Sequence, residues 1–247
     1  MQPVKIGPWA VERVSPVDDF SETVFFVGNG RLGVRGFGAW ARKRSPQAHA
    51  VFRAGLFSEI KPGITDMVQL PDALTLRPVG EEPQVVTQTL DLRTGVLTQR
   101  WETERAALRM ERAASMADPQ LLLQRLTITA RRAGAFTVEA VADTEVKNLP
   151  IHDDQNVPST ELVPLLKSVS LTENAMRLRT LPEGTPVEIT WRVSGSREEN
   201  RRSWAEGTAA LTALTAELAA GETWTVEKHV RVLARGEAPH ADSNEPW

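Results

Sequence analysis

Along most of the chain the apolar and polar positions alternate with a period of two rather than 3.6. The runs "AVFRAGLF" (50–57), "ALTLRPV" (73–79), "QVVTQTLDLR" (84–93) and "GVLTQRWET" (95–103) are short and bounded by Gly, Pro or Asp. "LLLQRLTITA" (121–130), "FTVEAVAD" (136–143), "VEITWRVSG" (187–195) and "WTVEKHVRVLA" (224–234) follow the same rule. In the last run Val226, Lys228, Val230 and Val232 share one face, with Thr225, Glu227, His229 and Arg231 on the other. Short strands separated by turn signals, with no helical runs between them, predict an all-β fold. The expected architecture is a large antiparallel β-sandwich, or super-sandwich, with short helices confined to connections. Faces that are imperfectly amphipathic fit sheets stacked on one another.

One stretch departs from this pattern. In "EGTAALTALTAELAAGE" (206–222) Leu211, Leu214 and Leu218 fall at helical spacing on an Ala-rich background. The following "LAAGET" reads equally well as a turn into the strand at 224–234, so helix and strand both stay open. Internal loops are expected at 41–47, 149–160 and 196–204. None is long or biased enough to be an interdomain linker, and there is no internal repeat. Residues 1–247 therefore read as one domain.

Composition narrows the function classes. Of 247 residues, 41% are apolar and 25% charged, as in ordinary globular chains, and the net charge of −3 mixes both signs throughout. That gives no electrostatic footprint for nucleic acid or for an anionic membrane. The absence of cysteine removes disulfides, thiolate metal sites and cysteine nucleophiles together. No apolar run reaches signal-peptide or membrane-span length, so the expectation is a cytoplasmic protein.

The most conspicuous motif is "TVFFVGNGRLGVRGF" (23–37), where Gly28, Gly30 and Gly33 spell G-x-G-x-x-G after a strand-like run. A dinucleotide turn would need a helix to begin within the glycines and an acidic residue about 20 positions on. Here the glycines continue to Gly36 and Gly38, and the downstream neighbourhood is "AVFRAGLF". A hairpin fits better, with Asn29-Gly30 as the two positive-φ residues of a type I′ turn. Gly33 and Gly36 then mark a bulge or a close backbone approach.

At these residues the sequence resembles the N-terminal region of family 65 glycoside hydrolases and phosphorylases, a family acting on maltose, trehalose and kojibiose. The stretch "ETVFFVGNGRLGVRG", from Glu22, is similar to the family's N-terminal signature. The resemblance continues in order through "LPD" (70–72), "LDLRTGVLTQRW" (90–101), "RAASMADPQLLLQRLTITA" (112–130), "DTEVKN" (143–148) and "ETWTVEKHVRVL" (222–233). Arg31 departs from it, standing where the family more often has an aromatic residue. The resemblance implies a large β-sandwich, supporting an (α/α)6 catalytic barrel and contributing to a homodimer. The barrel would carry the catalytic acid and the phosphate or water site, and this chain stops about where the linker to it would begin. On that reading the chain has no catalytic residues of its own, no cofactor and no metal, and an α-linked disaccharide belongs to the parent enzyme.

Glycosidases need two carboxyls facing across a sugar, about 5 to 10 Å apart. The candidate pairs are Asp18/Asp19, Glu102/Glu104, Asp143/Glu145 and Asp153/Asp154, all of which read more simply as solvated surface. His49, His152, His229 and His240 lack ligand spacing, and the "HDD" at 152–154 reads as a turn. Trp9, Trp40, Trp101, Trp191, Trp204 and Trp224 are candidates for stacking on sugar rings, with core packing as the competing role. Trp40 and Arg31 are the expected carbohydrate-contacting residues if the domain binds sugar by itself. That defines the alternative reading, a free-standing carbohydrate-binding module.

Overall fold

The computed structural model describes residues 4–40, 49–148, 163–197 and 200–239. Ten strands form one antiparallel sheet in the order β1 (Lys5–Ile6), β2 (Ala10–Ser15), β8 (Val86–Asp91), β9 (Val96–Glu102), β10 (Ala106–Ala114), β11 (Leu121–Ala130), β18 (Thr223–Ala234), β15 (Pro186–Gly195), β14 (Ala175–Thr180) and β13 (Leu166–Leu171). Two four-stranded sheets pack on its inner face. One runs β16 (Asn200–Glu206), β17 (Ala209–Leu218), β12 (Gly134–Asp143), β7 (Leu76–Pro78); the other runs β3 (Val27–Gly28), β4 (Leu32–Val34), β5 (Val51–Lys61), β6 (Ile64–Leu70). One short helix, α1 (Asp19–Val24), leads into the second small sheet.

The alternating runs form the centre of this arrangement. Along β18 every second side chain, from Trp224 through Val226, Val230 and Val232, is buried, while Thr225, Glu227, His229 and Arg231 lie on the other face. That outer face is wetter, and threonines pair across it, Thr129 with Thr223 at 3.1 Å. The open segment 206–222 is strand over Ala209–Leu218. Ala210, Thr212, Leu214, Ala216 and Leu218 point inward at period two, and β17 pairs with β12 over ten residues and with β16 on its other edge. Two ladders outweigh the helical preference of the alanines. The run at 73–79 is shorter than expected, since only Leu76–Pro78 pairs. The loops at 41–47 and 149–160, with His152, Asp153, Asp154 and also His240, lie outside the described residues.

A polar stripe crosses the inner face of the large sheet. Arg112 stands opposite Gln124 and Gln124 opposite Lys228 on three successive strands, while Gln88 stands opposite Gln99 on the neighbouring pair. All five side chains are buried. Their presence follows from the segments they face. Between the small sheets, residues 35–40 and 71–75 run as irregular backbone through the interior. The Ala39, Asp72 and Thr75 carbonyls accept from the amides of Leu76, Asp143 and Val141. Those of Arg35 and Phe37 turn to side chains, since a buried carbonyl is costly to leave unpaired. Arg112 donates to the carbonyls of Arg35 (2.8 Å) and Phe37 (3.3 Å). Lys228 donates to the Val141 carbonyl on β12 (2.7 Å) and to the Thr75 carbonyl (3.4 Å). Arg112 Nε also donates to Gln124 Oε1 (2.9 Å), and Gln99 Nε2 to Gln88 Oε1 (3.0 Å).

Phe37 links this stripe to a buried acid. Its ring lies 4.0 Å from the Arg112 guanidinium and stacks on His49 at 4.1 Å. His49 Nδ1 is 3.0 Å from Asp72 Oδ2, and Asp72 further accepts from Thr75 Oγ1 and from the Leu74 amide. Burial alone would raise the Asp72 carboxyl. The hydrogen bonds from His49 and Thr75, with the charges of His49 and Lys228, outweigh it and hold the group below the usual carboxylate range. Burial pushes Lys228 down to about 7 against the pull of Asp72, and Arg112 down to about 10 against Asp72 and Glu22.

Lys228 thereby gives the fold a pH dependence of definite sign. The unfolded lysine holds its proton up to its ordinary 10.5, whereas the folded one releases it near 7. Across that window the unfolded state binds more protons, so stability rises with pH. The chain has no tyrosine or cysteine to titrate there. The melting temperature should climb by a few degrees between about pH 7 and 9.5. Lys228→Met should flatten that climb, as measured by thermal unfolding across the pH series.

Candidate functional site

The glycine-rich hairpin is built from β3 and β4, with Gly28 opposite Gly33 and Val27 opposite Val34. Its turn lies one residue beyond the Asn29-Gly30 reading. The Asn29 amide pairs with the Leu32 carbonyl at 3.1 Å, making Gly30 and Arg31 the central residues. Gly30 alone of the three tip residues has positive φ (81°), the arrangement of a turn with glycine at its first central position. Asn29 instead uses its side chain. Oδ1 accepts from the amides of Arg31 (3.0 Å) and Leu32 (2.8 Å), and Nδ2 donates to the Ser115 carbonyl (2.7 Å) on the turn between β10 and β11. The asparagine both shapes the tip and docks it on the large sheet.

Two glycines on the return path admit close neighbours. A methyl group at Gly33 would collide with the Phe26 ring, and one at Gly36 would lie 2.5 Å from Phe25 Cβ and 2.6 Å from its carbonyl oxygen. The Gly36 amide donates to the Glu22 carbonyl at 2.7 Å, so this crossing brings backbone against backbone.

Arg31 reaches the far end of the chain. Its guanidinium pairs with Glu237, and so does that of Arg53, the residue beside the hairpin on β5. Arg235 donates to the Gly55 carbonyl (2.8 Å), and Gln120 Nε2 to the Ala238 carbonyl (3.1 Å). Burial lowers the Arg53 guanidinium, with Arg31 and Arg235 lowering it further against the opposing pull of Glu237. Residues 235–238, directly after β18, are thus fastened to the hairpin by one carboxylate held between two arginines.

The other candidate residues do not gather there. Trp40 is 6% exposed, its ring 4.8 Å from that of Trp101, so it packs in the core rather than offering an open face. Trp101 and Trp224 are also buried. Trp9 is half exposed beneath Arg93, on the opposite margin of the large sheet. Glu102 and Glu104 are exposed and paired with Arg131 and Arg132. Asp143 accepts the Glu145 amide at 2.9 Å. Among the described residues no group of three or more His, Asp or Glu side chains could hold a metal ion.

Comparison with known proteins places this geometry. The sequence profile described as "Glycosyl hydrolase family 65, N-terminal domain" matches residues 17–245. No curated protein matches the sequence. Among solved structures, one named "Putative kojibiose phosphorylase from human microbiome" superposes with a TM-score of 0.70 at 15% identity. The match covers 96% of this chain and 34% of that one, so the present chain spans about a third of that protein's length. Looser matches include the heparan sulfate lyase HepC from Pedobacter heparinus, with a TM-score of 0.30, 14% identity, and coverage of 67% of this chain and 23% of that one. A galactose mutarotase related enzyme from Lactobacillus acidophilus gives 0.35 at 11% identity, covering 87% and 99% respectively. Nothing further rests on these two.

The glycine contacts set an ordered pair of outcomes. Gly36→Ala forces backbone apart and should cost roughly 2–4 kcal/mol, a fall of about 5–15 °C in melting temperature. Gly63→Ala, at φ 79° with open space around it, should cost only the strain of a left-handed alanine, about 1 kcal/mol. Thermal melts of the two variants decide the order.

Proposed function

We propose, from the premise that this chain belongs to the N-terminal domain family of glycosyl hydrolase family 65, that it serves as the non-catalytic β-sandwich of a longer enzyme acting on α-linked disaccharides. The observation that carries this reading is the match of nearly the whole chain to one third of a longer protein. Its partner would be an (α/α)6 catalytic domain in the same polypeptide. The described part of this chain supports a scaffolding role: Glu102 and Glu104 are engaged in surface ion pairs, and the buried Asp72 is committed to His49 and Thr75. The end of β18 is the natural point of attachment, because Arg31 and Arg53 hold the segment after it in one direction through Glu237.

Chemistry and scaffolding separate by assay. The chain alone, incubated with phosphate and kojibiose, maltose or trehalose, should release no glucose 1-phosphate and no free glucose. The full-length parent should be active on at least one of these sugars, and Glu237→Ala within it should lower its melting temperature by a few degrees. Sugar cleavage by the isolated chain would overturn the reading.

A further inference from the structure

Where β15 faces the β16–β17 pair, the layers part into an open, polar-walled cleft of about 800 Å³ beside Trp191. The small sheet that carries the hairpin has the opposite character, because it is apolar on both faces. Its inner face supplies Val27, Leu32, Val34, Val51, Val68 and Leu70 to the core. Its outer face carries Phe26, Phe52, Phe57 and Met67, and none of these four joins the core.

Register places the four on one side. Gly33 stands opposite both Gly28 and Phe52, so these three positions share a face. A side chain at Gly33 would run into the Phe26 ring, and one at Gly28 would lie 3.3 Å from it. The paired glycines are thus a shelf for the Phe26 ring, while its neighbour Phe25 turns into the core. On β6, Gln69 opposes Phe52, and Met67, two residues away on the same side, opposes Phe57.

This row stays in water. Phe26 is 43% exposed and Phe57 49%. An antiparallel sheet with one dry face ordinarily turns polar side chains to solvent, as β18 does with Thr225, Glu227, His229 and Arg231. A row of exposed aromatic rings marks a surface that another body covers.

We infer that this face docks the larger remainder of the polypeptide, through an apolar surface on that remainder. The inference rests on the scaffolding role proposed above, in which about two thirds of the parent's length lies outside the matched region. The exit of the chain decides between that remainder and a second copy. Arg235, just after β18, donates to the Gly55 carbonyl at 2.8 Å, two residues from Phe57 on the same strand. Arg53, beside Phe52, holds Glu237. Polypeptide continuing from there starts within reach of the row, at an effective concentration that a separate molecule does not match.

Hydroxyl-radical footprinting read by mass spectrometry tests this on the chain alone and on the full-length parent. Packing at interior density should slow oxidation of Phe26 and Phe57 about fivefold in the parent. Trp9, on the opposite margin of the large sheet, should react equally in both. Equal reactivity of the two rings in chain and parent would overturn the inference. So would a dimer of the isolated chain that already shields them. Either result in a parent that still cleaves sugar leaves the scaffolding role standing. Sugar cleavage by the isolated chain removes that role, and this inference with it.

Discussion

The fold depends on pairing buried backbone that belongs to no strand. A ten-stranded sheet is too wide for one partner layer, and two smaller sheets share its inner face. The chain must therefore pass between them through the interior, at 35–40 and 71–75. Carbonyls on such crossings cannot reach water, and an unpaired one costs on the order of 1–3 kcal/mol. Arg112 and Gln99 reach up from the large sheet to the carbonyls of Arg35 and Phe37, and Lys228 to that of Thr75. Asp72 then offsets the positive charge brought in, and His49 and Thr75 satisfy Asp72. A charged stripe across a hydrophobic face is the consequence of the sheet layout, since long side chains with several donors are what such carbonyls require.

The same stripe lies between regions that are packed differently. On one side lies the small sheet that carries the hairpin, where Asn29 docks the tip on the turn after β10 and Glu237 fastens the segment after β18. These contacts join residues 86 to 206 positions apart, so the hairpin and the chain's last described segment are tied into one corner. On the other side, where β15 meets the β16–β17 pair, the layers are held by fewer bulky side chains and leave an open cleft. The molecule thus has one corner tied by long-range ion pairs and, away from it, a recessed polar margin.

Much of the strand layout was legible in the chain. The runs at 121–130, 136–143, 187–195 and 224–234 became central strands because their alternation matches a pleated sheet with one dry face. The segment 206–222 was ambiguous locally, since its leucines and Ala-rich background fit a helix while "LAAGET" fits a turn between strands, and only the ladders to β12 and β16 decided it. Lys228 could be seen to share a face with valines, but nothing local said that this face was the buried one or that its ammonium would cap carbonyls from two other segments. The hairpin was legible as a hairpin and its glycines as close approaches. The turn moved by one residue because the Asn29 side chain found acceptors on a neighbouring loop.

The sequence by itself determined the all-β class, the family resemblance and the tight passages at Gly33 and Gly36. Each of these follows from periodicity, from motif order or from the lack of a side chain. The tertiary structure alone decided the partners of Arg31 and Arg53, the burial of Trp40 against Trp101, the Arg112–Phe37–His49–Asp72 stack and the cleft beside Trp191. These are contacts between residues tens to hundreds of positions apart. No local pattern encodes them, because their existence depends on which strands become neighbours and on how far two layers stand apart.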